Sequence, residues 1–104
     1  MQVRVAGNLV AELVDVANFR QFEVQIAFSQ ERLPEVAVAL ENMAELEGHS
    51  AAWVNADWLT TASGASFDWL VEFNKMVSYA RTKGWVRDEP VRIRGHIVWL
   101  GDRL

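Results

Sequence analysis

The chain has 104 residues, a net charge of −4 and ordinary globular proportions of hydrophobic (51%) and charged (23%) residues. These values fit a single domain spanning 1–104 that buries a core without staples, and they exclude a disordered chain. The absence of cysteine excludes disulfides, thiol nucleophiles and thiolate metal sites, and it suits a reducing, cytoplasmic setting.

No apolar run reaches the roughly eighteen residues of a membrane span. The opening stretch MQVRVAGNLVAELVDV is interrupted by Arg4, Glu12 and Asp15 and lacks an A-x-A cleavage pattern, so it is not read as a signal peptide. Charge is unevenly spread. Residues 1–74 hold eleven Asp/Glu against three Lys/Arg (−8), and residues 75–104 hold three against seven (+4). An acidic body disfavours nucleic acid as a partner unless the basic residues converge on one patch.

In chain order, Val3 and Val5 alternate with Gln2 and Arg4, and Gly7-Asn8 follows before a second apolar run. This predicts a β-hairpin; a helix beginning at Asn8 is the competing reading. FEVQIAF is the clearest strand, with Phe22, Val24, Ile26 and Phe28 on one side and Glu23 and Gln25 on the other. Next, Pro34 opens a helix predicted over 34–47. Its apolar stripe is Leu33, Val36, Ala37, Leu40, Met43 and Ala44, its stop is Gly48, and its outer side is acidic through Glu41, Glu45 and Glu47.

SAAWV is predicted as a strand. Asn55-Ala56-Asp57 then turns the chain, and WLTTA returns as a short strand, or else Asp57 caps a helical turn. Ser66 caps a long helix from Phe67 to Lys83, with Leu70, Phe73, Met76, Val77 and Ala80 facing inward and Trp69 beside them. Gly84 ends it in a Schellman-type stop with Trp85 folded back. VRIRGHIVWL is a final strand, with Val91, Ile93, Ile97 and Trp99 opposite Arg92, Arg94 and His96.

The fold class is therefore α+β: a mixed or antiparallel sheet of five or six strands with two amphipathic helices on one face. The last six elements follow the split β-α-β order of ferredoxin-like folds, preceded by an extra hairpin. Two helices leave the second sheet face uncovered. Because Trp, Phe and Val are read as numerous on both sides, that face is expected to meet a ligand, a protein or a second copy, most economically in a homodimer.

Trp53, Trp69 and Trp99 are read as core residues, and Trp58 and Trp85 as edge aromatics suited to an interface or pocket. GHSAA is only superficially like a serine-nucleophile elbow, because a helix precedes it and the chain is too short. TASGASF is read as a plain helix cap, since Asp68 would repel an anion. No cofactor motif or metal-ligand spacing is present.

The leading expectation is a non-enzymatic binding or regulatory module that engages a protein partner through Glu41, Glu45, Glu47 and Trp58. The alternative is a cofactor-independent ligand-binding protein or enzyme for a hydrophobic anionic small molecule. Arg92, Arg94, His96, Trp58 and Trp85 would then hold the ligand, and His96, His49 and Asp57 would supply acid–base chemistry.

Overall fold

The computed structural model describes residues 1–101. Gln2–Val5 (β1) and Ala11–Val14 (β2) pair as the expected N-terminal hairpin. Leu9 takes the left-handed φ of 63°. Asn8 Oδ1 accepts the Val10 N–H at 3.0 Å, an Asx-type bond that fixes the turn. Glu23–Ile26 (β3) follows, with Val24 and Ile26 buried as the period of two requires.

A 3₁₀ turn over Gln30–Arg32 leads into Leu33–Ala39 (α1), with Pro34 in its first turn, where the missing N–H costs nothing. The helix does not run on to residue 47, which corrects the sequence reading. Both Met43 and Ala44 donate their N–H groups to the Leu40 carbonyl, closing the helix. Ala44–Glu47 (β4) then lies antiparallel to Ala51–Asn55 (β5), with Ala44 opposite Val54 and Leu46 opposite Ala52. The AELE stretch satisfies a period of two as well as a helical one, and strand pairing decides between them. Gly48, at φ 58°, serves the turn that follows β4 instead of stopping a helix.

WLTTA is also corrected: Ala56–Ser63 (α2) is a helix. Its polar side chains bond to its own turns, Thr60 Oγ1 to the Ala56 carbonyl (2.9 Å) and Ser63 Oγ to the Thr60 carbonyl (2.7 Å). Leu59, fully buried, anchors it. Phe67–Thr82 (α3) begins as expected, with Ser66 Oγ accepting the Trp69 N–H at 3.2 Å, a cap worth about 1 kcal/mol. It ends in a full Schellman pair: Trp85 N–H to the Ala80 carbonyl and Gly84 N–H to the Arg81 carbonyl. Val86–Arg87 (β6) and Arg92–Trp99 (β7) complete the described elements.

The protein is thus α+β, with a mixed open sheet of seven strands and three α-helices among the described residues. The strand order is β2-β1-β3-β7-β5-β4, with β6 attached to β7. β1, β3 and β7 are mutually parallel, and the remaining pairings are antiparallel. The parallel strands β3 and β4 are separated by two strands, β7 and β5. No helix of the described residues is long and apolar enough to cross a membrane.

Register sorts the side chains. Val3, Val24 and Ile97 align on one face, as do Val5, Ile26 and Trp99, and Val54 and Ile93. With Val36, Leu40, Leu59, Trp69 and Phe73 from the helices, these form the core. The opposite face carries Arg4, Glu12, Glu23, Gln25, Glu45, Glu47, Arg92, Arg94 and His96. Apart from Val14, Ala51, Trp53 and Val98 it is polar, which corrects the expectation of an apolar uncovered side and removes that argument for a second subunit. Trp53 is the largest apolar strand side chain turned this way, and it stands outside the core cluster. It is nevertheless only 6% exposed. Arg87 lies 3.9 Å over its ring and Glu47 Oε2 accepts its Nε1–H at 2.8 Å, so its own neighbours desolvate it.

Candidate functional site

One edge of β7 is occupied by β5. On the other edge β6 pairs with Arg92 and Ile93, and β3 pairs with His96 to Trp99. Arg94 and Gly95 lie between these two pairings, with the Arg94 N–H donating to the Trp85 carbonyl at 2.8 Å. A groove of about 670 Å³ opens there, lined by β7 (Ile93, Arg94, His96) and by Met76, Tyr79 and Ala80 of α3. Its remaining walls are Trp85 and, from the loop before β3, Phe19, Arg20 and Phe22.

Each wall has a local cause. Gly95 lets the Phe22 ring lie against the strand backbone: a Cβ there would come within 2.9 Å of Phe22 Cε2. The loop over residues 15–22 is tied down from several sides. Trp69 Nε1–H donates to the Val16 carbonyl at 2.7 Å, and the Met1 ammonium donates to the Asn18 and Gln21 carbonyls at 2.9 Å each. Phe19 packs on Trp69, with ring centroids 5.6 Å apart. The Schellman stop of α3 delivers Trp85 to the rim, edge-on to Tyr79 at 6.4 Å. Both rings stay well exposed, Tyr79 at 53% and Trp85 at 43%.

No aspartate or glutamate lines this groove, whereas Arg20, Arg94 and His96 do. Arg94 Nε is bonded to Glu47 Oε2 at 3.1 Å. Arg20 makes no ion pair with a described residue. The chemistry on offer is therefore stacking or edge contact for a flat ring, together with one cation, Arg20, that has no carboxylate partner among the described residues.

Of the residues singled out from sequence, Trp85, Arg94 and His96 come together here. Arg92 does not line the groove; its Nη1 donates to Glu45 Oε2 at 2.9 Å on the open face, as Arg94 Nε does to Glu47 there. Trp58 packs half-buried against the core from α2, not at an exposed turn. Glu45 and Glu47 lie on the strand β4 and Glu41 in the turn before it, so the acidic helix expected to present them is not formed. His49 sits in the turn before β5, its carbonyl accepting the Trp99 Nε1–H at 2.7 Å. Asp57 begins α2 at the other end of β5. At about 3.3 Å per residue, the five residues of β5 place roughly 17 Å between them, so His49, His96 and Asp57 are not one acid–base set.

Sequence reasoning missed Phe19, Arg20, Phe22, Met76 and Tyr79 as groove residues. One signal was available: in NFRQF, one of only three basic residues before position 75 is bracketed by two phenylalanines.

Beside the groove, Glu47 provides a local reporter. Hydrogen bonds from Arg94 and then Trp53 hold its carboxyl below the ordinary glutamate range, against a smaller opposing effect of burial. A depressed folded value means that this contribution to stability is complete above the ordinary glutamate pKa and is lost as pH falls through the lower one. The Trp53 indole N–H resonance is expected to hold still through the ordinary glutamate range and to move at more acid pH. Arg94→Ala should raise that transition; an unchanged midpoint would rule out Arg94 as its main cause.

Comparison of the chain with protein-family models, with curated proteins and with solved structures finds no match.

Proposed function

We propose that this protein is a binding domain for a hydrophobic organic anion, held in the groove between α3, the 15–22 loop and β7. One observation carries the reading: on a chain of net charge −4, an aromatic-walled groove is lined by Arg20, Arg94 and His96 and by no carboxylate. A flat ring would shelter against Phe22, Tyr79 and Trp85, removing apolar surface from water. Arg20 would neutralise the charged group. A catalytic variant of this reading would centre on His96 without His49 or Asp57. A protein partner engaged through Glu41, Glu45, Glu47 and Trp58 is the weaker reading, since Glu45 and Glu47 are bonded to Arg92 and Arg94 and Trp58 packs on the core.

The test is a fluorescence titration with the aromatic sulfonate 8-anilinonaphthalene-1-sulfonate and its uncharged relative N-phenyl-1-naphthylamine. Arg20→Ala is expected to weaken the sulfonate roughly three- to tenfold, about 0.7–1.4 kcal/mol, and to leave the neutral compound unaffected. Trp85→Ala should weaken both. Both variants should keep the parent's thermal midpoint, because the two side chains are exposed. Equal sulfonate binding by the parent and both variants would end the proposal.

A further inference from the structure

The groove does not stop at Arg20. A second depression of about 420 Å³ shares Phe19, Arg20 and Met76 with it and continues between the loop and the outer side of α3, where Lys75 and Glu72 line it. Arg20 therefore stands where the two spaces meet, with aromatic walls on one side and a lysine on the other.

Resting on the groove reading above, we propose that Arg20 and Lys75 form a phosphate subsite, so that the preferred ligand is an aromatic ring carrying a phosphate monoester. The first space supplies stacking surface and no carboxylate. The second is lined by a further cation together with the same arginine. A monocarboxylate would be matched by Arg20 alone, whereas a phosphate dianion has charge and acceptor oxygens for both groups, the fork of the arginine and the point charge of the lysine.

Lys75 Nζ is engaged by Glu72 Oε1 at 3.1 Å, in a pair with both side chains largely in solvent. Such exposed pairs contribute little, so Lys75 is free to exchange that partner for a phosphate oxygen. Glu72 is the acidic residue lining either space. Its repulsion of the dianion is the cost the subsite carries.

Calorimetric titrations with 1-naphthyl phosphate, 1-naphthoate, 1-naphthol and inorganic phosphate distinguish the outcomes. The phosphate ester is expected to bind about tenfold more tightly than the naphthoate, and naphthol and inorganic phosphate more weakly than either. Lys75→Gln should bring the ester down to the level of the naphthoate, and Glu72→Gln should tighten the ester further. Equal affinities for ester and naphthoate, or an ester advantage that survives in Lys75→Gln, would overturn the phosphate subsite while leaving the groove reading intact. Failure of every naphthyl compound to bind would overturn both.

Discussion

Trp69→Ala is expected to lower stability by about 3–5 kcal/mol, the range for removing a large buried aromatic side chain. The indole is buried, stacks on Phe73 at 4.6 Å and tilts against Phe19 at 5.6 Å. Its Nε1–H also donates to the Val16 carbonyl, 53 residues away in sequence, at 2.7 Å. It is therefore both a core residue and the fastening between α3 and the loop that carries Phe19 and Arg20. Domains of this size are stable by only about 5–15 kcal/mol, so the loss is a large share of the total. Trp69→Phe should recover most of the packing and leave the Val16 carbonyl without this donor, a deficit of about 1 kcal/mol. Urea denaturation gives both values. A loss under about 1.5 kcal/mol for the alanine variant would show that the ring is not packed as described.

Gly95→Ala should cost about 1–3 kcal/mol through overpacking, an unusual outcome for a substitution that otherwise favours a strand interior. The added Cβ would meet Phe22 Cε2 at 2.9 Å and Cδ2 at 3.1 Å, with Val24 Cγ2 at 3.5 Å. Phe22 must then swing away from β7, and the groove it lines changes shape. In a Phe22→Leu background the smaller side chain leaves room, so the same substitution is expected to cost less than about 0.5 kcal/mol. The difference between the two backgrounds is the coupling energy of the pair. Equal costs in both would mean that position 95 is glycine for some reason other than Phe22. Binding of an aromatic anion should fall in Gly95→Ala and recover only in part in the double variant, because Phe22 itself supplies ring contact.

Local pattern carried much of the fold. The alternation of Val24 and Ile26 with Glu23 and Gln25, the Ser66 cap and the Gly84 stop are short-range features. Each is determined by residues within one or two turns of one another, so the sequence alone placed β3, α3 and β7 and the N-terminal hairpin. The burial of Val36, Leu40, Met43 and Ala44 was legible too, although the last four residues of that segment proved to be strand. A stripe at helical spacing and a helix followed by a strand here bury the same four residues.

Tertiary structure alone decided that Ala44–Glu47 extends beside β5, and that Glu45 and Glu47 face Arg92 and Arg94 across the sheet instead of decorating a helix. It alone turned Trp53 toward the polar face under Arg87, and brought Arg20 and Phe22 to β7 from more than seventy residues away. The physical reason is common to all of these. Periodicity states which side of an element is apolar, but pairing and register determine which elements share that side, and they depend on contacts that no local window contains. The sequence by itself determined most of the elements and most of the core, whereas the groove, built where α3 and the 15–22 loop meet β7 between its pairings with β3 and β6, exists only once the sheet is assembled.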